Sequence, residues 1–105
     1  MKGLMQDHPL LISSIFEHAV NNYPTQEIVS NSVEGGIHKY TYKDWGNRTK
    51  QLANALKDYG VLEGDRIGTL AWNGYRHLEL YYATSSSGFI CHTMNPRLHL
   101  SLIHI

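Results

Sequence analysis

The sequence predicts an α/β fold that contains a β-hairpin and one βαβ unit. The βαβ unit is indicated by the stretch 64–98, in which an apolar strand (66–72), a helix (75–86) and another apolar strand (89–93) follow one another. Strands that are apolar along most of their length are typical of a parallel pair covered on both faces. Because such a pair needs covering neighbours, we expect this unit to be part of a larger sheet.

The hairpin is predicted ahead of this unit, from two short strands at 27–30 and 37–41. Gly35 and Gly36 lie between them, and glycine accommodates the positive φ angles that tight connections need. An antiparallel hairpin is therefore the simplest connection between the two strands.

Two further helices complete the predicted fold. The first is expected to begin with a capping box formed by Ser14 and Glu17. The longest helix is expected to open at Thr41, with Asp44 as its capping partner, and to end at Gly60. Its buried stripe is predicted to comprise Trp45, Leu52, Ala55, Leu56 and Tyr59.

Charge and cysteine content limit the partners and the compartment. The 105 residues include 9 Lys and Arg and 9 Asp and Glu, so the formal net charge is zero. A neutral chain argues against a nucleic acid or an anionic membrane bound through bulk charge. The single cysteine cannot form an internal disulfide, which fits a reducing cytosol. No apolar run approaches the roughly 20 residues of a membrane helix, so a cytoplasmic protein without a membrane span is predicted.

The seven histidines do not have the spacing of a metal site. They are His8, His18, His38, His77, His92, His99 and His104. A zinc or iron site needs several ligands from one neighbourhood, as in H-x-x-x-H or H-E-x-x-H, and neither pattern occurs. The histidines are therefore expected to be surface or half-buried side chains, and no metal ligand is predicted.

Other candidate chemistry is also weak in this sequence. Gly60, Gly64 and Gly68 recur every four residues but match neither the dinucleotide fingerprint nor the Walker pattern. The serines 85–87 lie at the C-terminal end of a predicted helix, where the helix dipole is negative and an anion is not favoured. Cys91 lies in an apolar strand, where it acts as a small hydrophobic residue, and the adjacent His92 points to the opposite strand face.

Only Asn95 and Arg97 have a positional claim to a site. They follow the last predicted strand at its carboxyl end, where open α/β sheets bind ligands. The alternative, a turn asparagine and a solvated arginine, is favoured because Asn-Pro is a common turn signal. No catalytic, cofactor-binding or metal-binding residue is therefore assigned.

Several motifs resemble those of the adenylate-forming acyl-CoA ligases, the superfamily that includes fatty-acyl-CoA synthetases and the adenylation domains of peptide synthetases. In chain order they are Y-T-Y-K-D-W at 40–45, G-D-R-I at 64–67, L-A-W-N at 70–73, R-H-L-E-L-Y-Y at 76–82 and H-T-M-N-P-R-L at 92–98. The resemblance covers about residues 4 to 98. The opening G-L-M-Q-D-x-P-L-L-I-S-S resembles the subgroup of 3-methylmercaptopropionyl-CoA ligases.

The resemblance implies the N-terminal part of the large domain of such an enzyme, AMP-forming and dependent on ATP, coenzyme A and Mg²⁺. It implies a small carboxylic acid as substrate, activated as an acyl-adenylate and transferred to the thiol of coenzyme A. The family's phosphate-binding loop and its later acidic and lysine residues match nothing in this sequence, so no functional residue is carried over. One departure is the serine run 85–87, where relatives carry Gly, Ala or Met.

Residues 1–99 are therefore expected to be a truncated portion of an AMP-binding domain that is inactive by itself. Residues 100–105, L-S-L-I-H-I, match one reading frame of a transposase sequencing adapter and are expected to be non-native. Without their sheet partners, the faces of the strands 66–72 and 89–93 are expected to be exposed and to favour aggregation. The alternatives are a stand-alone α/β binding module and a ligase relic retained as an interaction protein.

Overall fold

The computed structural model describes residues 3–98, and the suspected tail at 100–105 lies outside them. The predicted α/β class, with one hairpin and one βαβ unit, is confirmed. The elements in chain order are α1 (Ile12–Asn22), β1 (Glu27–Asn31), β2 (Ile37–Thr41), α2 (Tyr42–Tyr59), β3 (Arg66–Leu70), α3 (Tyr75–Ser85) and β4 (Ile90–Met94).

The hairpin has the predicted antiparallel pairing. Glu27 lies opposite Thr41 and Asn31 opposite Ile37. Gly35 and Gly36 have φ angles of 102° and 85°, in the left-handed region that favours glycine. The turn residues therefore set the register of the two strands.

The βαβ unit is formed by β3, α3 and β4. The two strands are parallel, with Arg66 opposite Ile90 and Leu70 opposite Met94. The strand β3 ends at Leu70, two residues earlier than predicted, because the chain turns through 71–74 into α3. The strand β4 is shifted by one residue from its predicted bounds.

The capping prediction is confirmed for α2 and wrong for α1. The Thr41 hydroxyl accepts from the Asp44 backbone N–H at 3.2 Å, and the Asp44 carboxylate accepts from the Thr41 backbone N–H at 3.4 Å. The helix α1 begins earlier, at Ile12, and within residues 3–98 no side chain caps its first turn. Ser14 lies inside that turn, where its N–H donates to the Leu11 carbonyl, so it cannot act as the cap.

The core lies where the three helices meet, and it is aromatic. Phe16 of α1 and Trp45 of α2 are 6% and 4% exposed, and their ring centroids are 4.8 Å apart. Tyr82 of α3 packs against Trp45 at 5.0 Å, edge to face. These contacts hold α1, α2 and α3 together.

The buried stripe of α2 is shorter than predicted. Trp45 is buried, but Ala55 and Tyr59 are exposed, and the buried positions beside Trp45 are Gly46 and Thr49. The neighbouring helices have 11 residues each whereas α2 has 18, so its last turns extend beyond the helices that cover its beginning.

Helix propensity alone marks Gly46 as a mild defect, but the structure shows why a small residue lies there. A Cβ at this position would lie 2.9 Å from Cγ2 and 3.1 Å from Cγ1 of Val20 in α1. Valine is stiff at χ1, so its methyl groups yield little. The absence of a side chain at Gly46 therefore sets the close approach of α1 to α2.

Gly46→Ala is expected to lower the free energy of unfolding by about 1 kcal/mol, because an overpacking cost of about 1–3 kcal/mol exceeds a propensity gain of about 1 kcal/mol. Urea denaturation measures the change. In a Val20→Ala background the same substitution is expected to stabilise the chain, since the obstructing methyl groups are gone. Destabilisation of equal size in both backgrounds would contradict the close-packing explanation.

Candidate functional site

The carboxyl ends of β3 and β4 open onto a cleft of about 460 Å³. This is the edge at which parallel α/β sheets bind ligands. The cleft is lined by Ala71, Trp72, Asn73, His77, Tyr81, Thr93, Met94, Asn95, Pro96 and Arg97. The fold thus brings the two residues with a predicted positional claim, Asn95 and Arg97, to one cleft.

Within that cleft Asn95 is a turn residue. Its side-chain oxygen accepts from the Arg97 backbone N–H at 2.9 Å, which stabilises the turn after β4. The Arg97 guanidinium carbon lies 5.3 Å from the centroid of the Trp72 ring, a cation–π contact across the cleft mouth. The turn interpretation of Asn95 is therefore supported, and Arg97 is exposed to solvent, as that interpretation expects, while its guanidinium also lies over the Trp72 ring.

His77 is the residue that sequence reasoning missed. We expected surface or half-buried histidines, but His77 is only 4% exposed. Its Nε2 lies 2.9 Å from the Thr69 hydroxyl of β3, and its ring stacks on Tyr81 at 4.4 Å. The imidazole thus ties α3 to β3 at the wall of the cleft. The burial of His77 could have been inferred from its position. It is the third residue of a helix that follows a strand and a turn, where the side chain faces back toward the sheet.

A partly buried ion pair joins α2 to α3. The Arg48 Nε donates to the Glu79 carboxylate at 2.8 Å, and the Glu79 side chain is 5% exposed whereas that of Arg48 is 54% exposed. Burial, and after it the Glu79 carboxylate, raises the pKa of Tyr40 well above its ordinary range. Within residues 3–98, the buried Glu79 carboxylate is thus paired with Arg48 and also lies near enough to Tyr40 to affect it.

The hairpin tip is held on the start of α3 by polar and aromatic contacts. The Arg76 guanidinium donates to the Glu34 carboxylate at 2.7 Å, and the rings of His38 and Tyr75 stack at 3.6 Å. The Ser32 hydroxyl also donates to Glu34. These contacts position the hairpin next to the loop 71–74 that borders the cleft.

The Ser32 hydroxyl, then the backbone N–H of Glu34 itself and then Arg76, hold the pKa of the Glu34 carboxyl at about 2, below its ordinary 4.5. Because the pKa of Glu34 is lower in the folded state, the hydrogen bonds to its carboxylate stabilise the fold above pH 4.5. This stabilisation is lost as the pH falls through about 2. Ser32→Ala is expected to raise this pKa toward 4.5, measured by NMR titration of the carboxyl carbon.

Arg76→Met serves as the matched comparison for Ser32→Ala, and it is expected to raise the pKa of Glu34 by less, because Arg76 ranks after Ser32 among the causes. An unchanged titration midpoint in Ser32→Ala would contradict the assignment of the hydroxyl as the principal donor.

The cleft is lined by polar and aromatic side chains. Its described lining offers one guanidinium, two carboxamides and an imidazole, with no carboxylate among them. Among residues 3–98 no group of three or more His, Cys, Asp or Glu side chains is placed to hold a metal ion. Cys91 is half-buried in β4. None of the helices in the described part of the chain is long and apolar enough to cross a membrane.

The model of the AMP-binding enzyme family matches residues 16–104, and the chain belongs to this family. Curated relatives include a 3-methylmercaptopropionyl-CoA ligase of Ruegeria lacuscaerulensis, 46% identical over 93% of this chain, and a medium-chain-fatty-acid–CoA ligase of Ectopseudomonas oleovorans, 42% identical over 98%. The chain spans only 18% and 19% of the lengths of these two relatives.

Solved structures agree at the level of the fold. The inhibitor-bound N-terminal domain of FACL13 from Mycobacterium tuberculosis superimposes with a TM-score of 0.78 at 19% identity, covering 89% of this chain and 23% of that domain. A fatty acyl-CoA synthetase of the same organism superimposes with a TM-score of 0.74 at 20% identity, covering 84% of this chain and 17% of the synthetase chain. The prediction that this is the N-terminal part of an adenylate-forming fold is confirmed, and the alternative of a stand-alone binding module gains no support.

Proposed function

We propose that this chain is the opening portion of an AMP-forming carboxylate–CoA ligase. The observation that carries the proposal is the 42–46% identity to two curated acyl-CoA ligases over 93–98% of the chain. The match includes the elements that build the hairpin, the aromatic core and the cleft at the carboxyl ends of β3 and β4. The expected compartment is the cytoplasm, consistent with a single unpaired cysteine.

The proposed reaction has two steps. A carboxylic acid and ATP give an acyl-adenylate and pyrophosphate, and the thiol of coenzyme A then displaces AMP to give the thioester. The first step requires Mg²⁺ and cationic groups against the phosphates. A small carboxylic acid is the proposed substrate, with 3-methylmercaptopropionate and medium-chain acids as candidates suggested by the relatives' names.

The described residues do not fit an ATP–Mg²⁺ site. The lining of the cleft provides no carboxylate ligand, and its single guanidinium already lies over the Trp72 ring. Arg48 and Arg76 are engaged by Glu79 and Glu34. We infer that the phosphate-binding and metal-binding groups lie outside residues 3–98 and that these residues serve as a scaffold.

Carboxylate-dependent ATP–pyrophosphate exchange tests the proposal. A longer protein that contains this sequence is expected to catalyse exchange with at least one of butyrate, 3-methylmercaptopropionate and longer acids. The 105-residue chain, assayed in parallel, is expected to show none. Absence of exchange with every acid in the longer protein, or exchange by the chain alone, would contradict the proposal.

The domain boundary is a separate proposal. We propose that the native segment ends near residue 99 and that 100–105 derive from a sequencing adapter, since these six residues match its translation. Long-read resequencing of the locus decides this. Genomic DNA that encodes all six residues followed by a stop codon would refute it.

A further inference from the structure

The turn from β3 into α3 contains the only Asn-Gly pair in the sequence, Asn73–Gly74. The side-chain carboxamide of an asparagine can be attacked by the backbone nitrogen of the residue that follows it. Glycine obstructs this attack least, because no Cβ flanks its nitrogen. Both reacting groups belong to adjacent residues, so the reaction requires nothing from outside the chain except water.

The structure leaves both reacting groups of this pair free. Within residues 3–98, the Gly74 N–H donates no hydrogen bond to a backbone carbonyl, and the Asn73 side chain is exposed. The backbone of Gly74 is extended, with φ of −175° and ψ of −178°. The Asn73 carboxamide can therefore turn onto the Gly74 nitrogen without first breaking a backbone hydrogen bond.

The six other asparagines are each followed by a backbone nitrogen that is less able to react. Three of them are followed by a residue whose N–H is bonded inside a helix: Asn21, Asn47 and Asn54. The N–H groups that follow Asn22 and Asn31 donate to backbone carbonyls at 3.0 and 2.9 Å. Asn95 is followed by a proline, whose nitrogen has no hydrogen to lose. Among the residues that the structure describes, Asn73 is thus the one asparagine with a free and unobstructed neighbour.

We propose that Asn73 is a site of spontaneous deamidation in this chain. The Gly74 nitrogen loses its proton to solvent base and bonds to Cγ of Asn73, and the side-chain nitrogen leaves as ammonia. Water then opens the resulting succinimide ring at either carbonyl carbon, which gives aspartate or isoaspartate. No electrons are transferred, and the formal net charge of zero becomes −1. The proposal does not depend on the proposed enzymatic function.

Deamidation of Asn73 changes the cleft at the carboxyl ends of β3 and β4. Asn73 lines this cleft together with Arg97, and the described lining contains no carboxylate. Aspartate introduces one just before α3, at the helix end where the dipole favours negative charge. Isoaspartate instead adds a carbon atom to the backbone between β3 and α3, which are joined by the hydrogen bond between His77 and Thr69 at 2.9 Å. We expect the isoaspartate product to weaken this attachment.

Peptide mapping of the folded 105-residue chain, incubated at mildly alkaline pH, tests the proposal. Trypsin releases residues 67–76, a peptide that contains Asn73 and no other carboxamide side chain. We expect this peptide to gain the mass of amide-to-acid conversion at a rate close to that of the isolated synthetic peptide 67–76. Electron-transfer fragmentation then distinguishes aspartate from isoaspartate.

Gly74→Ala keeps Asn73 but places a methyl group beside the attacking nitrogen. The fold accommodates this group, because the backbone is extended and the nearest atom to the new Cβ is the Asn31 carbonyl oxygen at 4.0 Å. The variant is expected to convert at least about tenfold more slowly, a barrier increase of about 1.4 kcal/mol. Gly3→Ala, the same change at an open position that does not follow an asparagine, is expected to leave the rate unchanged.

Urea separates the contribution of the fold from that of the sequence. In the folded chain the N–H of Ser32 is bonded, so Asn31 is expected to remain intact. Unfolding in urea is expected to start conversion at Asn31 and to change the rate at Asn73 little. No conversion of Asn73 in the folded chain, conversion of Gly74→Ala as fast as wild type, or conversion of Asn31 as fast without urea as with it would overturn the proposal.

Discussion

Trp45→Ala is expected to lower the free energy of unfolding by about 3–5 kcal/mol, which is most of the stability of a domain of this size. The Trp45 side chain is 4% exposed and contacts Phe16 of α1 and Tyr82 of α3 through edge-to-face ring packing. Its removal leaves a cavity at the point where the three helices meet. Urea denaturation followed by far-UV circular dichroism measures the effect.

Trp72→Ala is the matched control for Trp45→Ala. The substitution is the same, but Trp72 is 49% exposed at the cleft mouth. Its loss is expected to have a much smaller effect, because much of the side chain already contacts water. An equal loss of stability in the two variants would contradict the assignment of Trp45 to the core.

Arg48→Met is expected to lower the free energy of unfolding by about 2–3 kcal/mol, because it leaves the Glu79 carboxylate buried without its cation. This expected loss is smaller than that for a fully buried ion pair, because 54% of the Arg48 side chain is exposed and solvent screens its contact with Glu79. Urea denaturation at neutral pH measures the loss. Adding Glu79→Gln is expected to recover part of it, because the buried charge is then removed as well.

Arg76→Met tests whether the stability lost in Arg48→Met comes from the burial of the Glu79 carboxylate or from the loss of an ion pair as such. The Arg76–Glu34 contact has a similar distance, 2.7 Å, but both side chains are more than half exposed. We expect a loss of stability much smaller than that of Arg48→Met, because exposed ion pairs contribute little. A loss as large as that of Arg48→Met would show that the buried state of Glu79 is not the cause.

Local patterns in the sequence were sufficient to predict most elements of the fold. Thr41 with Asp44 and Gly60 define the two ends of α2, because capping and the left-handed C-terminal conformation depend on residues close in sequence. The glycine pair at 35–36 likewise predicts the hairpin turn. The prediction for Ser14 is wrong because α1 begins at Ile12 without a side-chain cap, so that Ser14 lies within its first turn.

The candidate site was only partly predictable. Asn95 and Arg97 were found from their position after the last strand, and the fold places both at the cleft. His77 was missed because its burial depends on Thr69 and Tyr81, of which Thr69 lies on another element. The burial of the Glu79 carboxylate was missed for the same reason, since its partner Arg48 is 31 residues away in sequence.

The sequence by itself determined the order of the elements, the α/β class and the resemblance to acyl-CoA ligases, because capping residues, turn glycines and short motifs act over a few positions. Only the tertiary structure decided which polar side chains are buried and why Gly46 has no side chain. Those properties depend on contacts between residues distant in sequence, such as Gly46 with Val20, and no local pattern contains them.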